Sequence, residues 1–102
     1  MRKCVKVILF DFNTHFKDID TLYQTIKKRI PFEGLEGVVQ PEEEEVHMVI
    51  YGLKERVDDA VDALEEFVIT EGAQTQHMMG LSVEPFLKDE DYRGVFRFIQ
   101  RA

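Results

Sequence analysis

Three histidines, one cysteine and a run of four glutamates are the side chains here best suited to chemistry. His15, His47 and His77, with Cys4, are of the types that hold zinc, but no two stand at the short spacing of a zinc site. They read as ordinary strand and loop residues, and no metal and no cofactor are expected. Glu42 to Glu45 lacks the alternating ligands and central glycine of a calcium loop and reads as a solvated hairpin turn. No Ser-His-Asp or Cys-His arrangement of an activated nucleophile stands out. Met78 and Met79 read as loop methionines packed under a sheet.

The composition narrows the classes of function. The chain has 102 residues, 44% of them hydrophobic, enough for one core, and a single domain over residues 1–102 is expected. Twenty acids against 13 bases give a net charge of −7, which argues against nucleic acid as the main partner. Eight phenylalanines and no tryptophan point to an aliphatic and phenylalanine core. The single Cys4 rules out an internal disulfide and any CxxC motif. The opening run is faintly like a signal peptide, but Lys6 and Asp11 interrupt it and no small-residue cleavage site follows. No stretch approaches a membrane span. A reducing, cytoplasmic setting with no membrane partner is expected.

The elements that must position any site are read from periodicity. Cys4 to Phe12 is mostly β-branched or aromatic on both faces, which predicts a central strand covered above and below. Asp18 or Asp20 offers an N-cap to a helix with Ile19, Leu22, Tyr23, Ile26 and Ile30 on one stripe, stopped by Pro31. Leu35 to Gln40 and Val46 to Tyr51 read as strands joined by an acidic turn. Val46, Met48 and Ile50 share one face of the second. A helix follows, with Leu53, Val57, Ala60, Val61, Leu64, Phe67 and Val68 on its apolar stripe. Glu71 to Gly80 reads as a polar loop. Leu81 to Leu87 is a strand that Pro85 confines to an edge or a bulge, and Val95 to Ile99 is a last short strand. The order β-α-β-β-α-β-β is the split-βαβ, ferredoxin-like plan with one added strand. It is an α+β sandwich with two helices on one face of an antiparallel sheet and right-handed crossovers.

The segments GVVQPEEEEVHMVIYG (37–52), VDDAVDALEEF (57–67) and LSVEPFLKDEDYRGVFRF (81–98) together resemble acylphosphatases, a likeness over roughly two-thirds of the chain. The resemblance implies a phosphate cradle in the loop after the first strand, built from glycine amides and an arginine. It also implies an asparagine at the end of the second strand that orients the attacking water. Aligned without a gap, Gln40 takes the asparagine position. The loop FDFNTHFKD (10–18) has no glycine and no arginine, and it brings in Asp11. A loop without glycine is poorly suited to an anion nest. Lys17 and His15 are the cationic substitutes, Lys17 supplying a point charge rather than a bidentate fork. The resemblance therefore implies Lys17 and Gln40 as candidate catalytic groups, with Asn13, Thr14 and His15 as candidate ligand-binding residues.

Three functions follow as expectations. The first is a non-catalytic acylphosphatase-like domain that binds a protein or a small anionic ligand. The second is a divergent acylphosphatase that hydrolyses the carboxyl-phosphate bond of acyl phosphates through Lys17 and Gln40. The third is a regulatory or assembly module that self-associates, forming a homodimer through the Val95–Ile99 sheet edge, because Pro85 and the acidic turns blunt the other edge.

Overall fold

Val5, Val7 and Leu9 alternate with Cys4, Lys6 and Ile8, and that period of two makes Arg2–Phe10 a strand (β1). It pairs antiparallel with Glu45–Leu53 (β3), setting Val5 against Ile50, Val7 against Met48 and Leu9 against Val46, all buried. Between them in sequence lie helix α1 (Ile19–Arg29) and strand β2 (Glu36–Glu42). Helix α2 (Lys54–Thr75), strand β4 (Gly80–Pro85) and strand β5 (Phe96–Phe98) follow. The structure is a computed structural model that describes residues 1–100; the last two of the expected domain lie outside the described residues.

The sheet order is β4-β1-β3-β2-β5. Neighbours are antiparallel except β2 and β5, which run parallel, so the sheet is mixed rather than wholly antiparallel. The fold is the expected α+β ferredoxin-like sandwich. Leu22, Tyr23 and Ile26 of α1 and Val57, Ala60, Leu64 and Phe67 of α2 join Val5, Val7, Leu9, Val39, Val46, Met48 and Ile50 in one core. Burying each large side chain contributes roughly 1.5–3 kcal/mol, which holds both helices on the same face.

The other face of β1 is covered, as its two apolar sides suggested, and the cover is the β4–β5 connection. With β4 and β5 at opposite edges, that segment must cross the whole sheet. It does so with Lys6 Nζ 5.7 Å over Phe86, Lys88 Nζ 4.2 Å over Tyr51, and Lys88 paired to Glu36 at 3.5 Å. Cys4, Lys6, Ile8 and Phe10 are accordingly half-buried. Phe12, read as the end of the strand, is beyond it and belongs to the helix-side core.

Two helix boundaries also differ from the periodicity. Leu53 is an exposed N-cap rather than a stripe residue, and the Lys54 amide donates instead to the Met1 carbonyl at 3.0 Å. At its far end α2 runs through Glu71–Thr75, stopping only where Gln76 adopts a left-handed conformation (φ 63°) and donates to Gly72 O. Gly72 and the polar composition read as a loop, but tertiary hydrogen bonds to Glu71 and Thr75 hold the extra turn in place. Met79 packs into the core as expected, whereas Met78 is exposed. Among the described residues, no helix is long and apolar enough to cross a membrane.

At Gly37 (φ 150°) a Cβ would run into the Val49 carbonyl oxygen of the β2–β3 ladder. Gly37→Ala is expected to lose about 3 kcal/mol or more, from backbone strain added to overpacking. Urea unfolding followed by circular dichroism measures it; a midpoint unchanged from wild type would contradict the register described here.

Candidate functional site

The β1–α1 loop closes on itself. Asp11 turns the chain with φ 58°, and the Phe12 carbonyl then accepts from the amides of His15 (2.9 Å) and Phe16 (3.1 Å). Phe12 is anchored in the core, so this turn is held from below. Asp18 caps α1: its Oδ1 accepts from the Thr21 amide at 2.8 Å and the Thr21 hydroxyl at 2.9 Å. Those bonds, the backbone one foremost, hold the Asp18 carboxyl below its usual range. A helix N-terminus is a natural anion site. Here its own carboxylate occupies that position.

His15 points inward. Its side chain is 0% exposed, with Nδ1 3.2 Å from Thr75 Oγ1 and 3.9 Å from Glu71 Oε2. Arg29 at the end of α1 donates to Glu71 Oε1 at 3.3 Å, and its guanidinium lies 4.9 Å over the Phe67 ring. Phe16 packs on the same ring at 5.9 Å. His15 thus clasps the loop to the last turn of α2. Sequence reasoning missed this tie because Thr75 fell in a presumed loop. The spacing Leu64, Phe67, Glu71, Thr75 carried the signal, since it keeps one helical face.

Asn13 and Lys17 share a hollow of about 260 Å³ with Asp18, Glu43 and Glu44. Asn13 also reaches a second hollow, about 310 Å³, with Thr14, Asp11, His77 and Met78. One lysine against three carboxylates makes the first hollow unfavourable for a phosphoryl group. The structure thus gathers Asn13, Thr14 and Lys17 at the loop surface and sends His15 beneath it.

Gln40 lies elsewhere. It pairs with His47 in the β2–β3 ladder, on the face away from the helices, while Pro41 stands opposite buried Val46 on the loop's face. Gln40 lines a groove of about 270 Å³ with Lys6, His47, Phe86, Tyr92 and Arg97. His47 Nε2 is 2.9 Å from Glu45 Oε1 and Nδ1 is 3.3 Å from Glu42 Oε2. The Tyr92 hydroxyl donates to Asp89 at 3.1 Å; burial, reinforced by that bond, pushes its pKa upward. Tyr92 and Arg97 went unnoticed in the sequence, where nothing shows that the final connection crosses back over β3. The three histidines sit on separate elements. Among the described residues no group of three or more His, Cys, Asp or Glu side chains is placed to hold a metal ion.

Two measurements check this geometry. Thr75→Val keeps the side-chain shape but removes the hydroxyl beside the buried His15 ring, at an expected cost of about 1–3 kcal/mol in chemical denaturation. The Asp18 cap stabilises above the ordinary carboxyl value of 3.8 and is lost as pH falls through its still lower folded value. Asp18→Asn caps nearly as well at pH 7. Its melting temperature is therefore expected to match wild type at neutrality and to fall less steeply below pH 4. Equal acid limbs in the two proteins would remove the cap from the argument.

No family model matches this chain, and no curated protein matches it. Among solved structures, an acylphosphatase from Coxiella burnetii superposes with a TM-score of 0.52 at 16% identity, covering 96% of this chain and 93% of that one. The likeness extends beyond the three segments that first suggested it to nearly the whole length. The chain therefore has an acylphosphatase-like fold.

Proposed function

We propose that this chain is a non-catalytic binding module on an acylphosphatase-like fold, and that its partner is a protein rather than a free phosphate. One observation carries the reading. The His15 and Phe16 amides of the β1–α1 loop are spent on the Phe12 carbonyl, the Thr21 amide in the first turn of α1 on the Asp18 carboxylate, and the adjoining hollow is acidic. Losing a single preorganised oxyanion donor typically costs ~10²–10³ in rate, and here no arginine replaces them. Gln40 gives no compensation, because strand parity turns it to the opposite face of the sheet from Lys17. A group on the wrong side of a sheet orients no water at the loop.

The test is hydrolysis of an aryl acyl phosphate by wild type, Lys17→Ala and Gln40→Ala. All three are expected to match the uncatalysed rate. Turnover by wild type that drops in either variant would establish the active-enzyme reading in its place.

A further inference from the structure

Among the described residues, the last strand of the sheet has one side without a neighbour. Gly37 N donates to Val95 O (2.9 Å) and Ile99 N donates to Val39 O (2.8 Å), so the odd residues of this segment face β2. In a parallel ladder the alternate residues then direct their amides and carbonyls outward, here those of Phe96 and Phe98. The opposite edge, β4, is blunted by Pro85 and Glu84, while Phe96–Phe98 carries neither proline nor acid.

Beside this edge is a hollow of about 760 Å³, lined among others by Lys27, Lys28, Phe32, Phe96 and Phe98. Lys27 and Lys28 are exposed, as is Arg97 on the other side of the strand. Arg29 is committed to Glu71 and is left out of the count. Glu33 is the one carboxylate among the described residues that line the hollow. A cationic, apolar-floored edge thus stands on a protein of net charge −7.

We infer that β5 is a docking edge for an extended acidic segment of a partner protein, which adds as a sixth strand. This names the partner of the binding module proposed above and rests on that reading. Backbone bonds to Phe96 and Phe98 would supply affinity. Side chains on the helix side of the added strand would meet the phenylalanine floor and the Lys27 and Lys28 cations beside it, and the alternate ones would meet Arg97. The same observations disfavour other occupants. A second copy pairing antiparallel about Arg97 would set Arg97 against its own equivalent. Single-stranded nucleic acid needs open ring faces. Phe32 and Phe96 stack on each other at 4.2 Å, and Lys27 Nζ covers Phe98 at 4.8 Å.

The experiment titrates the full chain into a fluorescent ten-residue peptide alternating valine and glutamate, with a valine–lysine peptide as control. Saturable binding of the glutamate peptide alone is expected, with amide shifts in NMR centred on Phe96 and Phe98. Affinity should weaken about tenfold in the exposed Lys27→Glu/Lys28→Glu variant, whose fold circular dichroism verifies. Added salt should weaken it as well. Four outcomes overturn the inference: no saturation, equal binding of the lysine peptide, preferential binding of oligouridine, or a dimer in sedimentation that closes the edge. Acyl phosphate turnover on the same sample separates the two ideas. Without turnover, a failed titration removes the β5 site and leaves the module reading intact; with turnover, that reading itself fails.

Discussion

The antiparallel ladder between β1 and β3 is the constraint on which the rest depends. Val5, Val7 and Leu9 oppose Ile50, Met48 and Val46, and all six are at most 2% exposed. A slip of one residue would carry this whole set to the other face. With the ladder fixed, both helices have one apolar floor to cover. The β1–α1 loop must then leave at the end of β1 towards that floor, which is why Phe12 is drawn into the core and His15 beneath the loop. The register also sets the parity of β2, and with it the side of the sheet on which Gln40 emerges.

The same order makes the final connection unusual in its work. A chain that ends β4 at one edge and begins β5 at the other has to pass over three strands, four strand spacings or about 19 Å. The ten residues from Phe86 to Val95 suffice, since extended chain spans up to about 33 Å. In crossing, they supply what a second layer of helices would otherwise give: Phe86 and Tyr92 over the sheet, with Lys88 anchored between Tyr51 and Glu36. The groove that holds Gln40 and His47 is a by-product of that crossing.

Periodicity was a sound guide wherever a residue answered to one neighbour layer. The stripes of both helices, the Asp18 cap, the Pro31 stop and the edge position of Pro85 were legible for that reason. The failures lie where distant groups decide. The last turn of α2 forms because Arg29 and His15 hold Glu71 and Thr75, partners more than forty residues away. Cover for the second face of β1 comes from a segment that composition marks only as acidic and turn-rich. The candidate site was least legible. An ungapped alignment names Gln40 but not the face on which it emerges, because strand parity is invisible until the pairing with His47 is known.

The position of Gln40 bears on the proposed reading of a fold kept without its chemistry. A phosphate cradle requires backbone amides held without internal partners, and such groups are costly to leave unpaired. In this loop the His15 and Phe16 amides are paired to Phe12 O, the first-turn Thr21 amide is paired to the Asp18 carboxylate, and the His15 ring is tied to α2. Among the described residues no buried side-chain nitrogen or oxygen lacks a partner. On the reading proposed above, pairing these groups within the loop leaves fewer of them for an anion while the core beneath is unchanged. Edge strands leave backbone groups open as well, among them those on the outer side of Phe96 and Phe98. The docking edge proposed above therefore lies where the sheet is incomplete, on a different element from the loop that the acylphosphatase resemblance singled out.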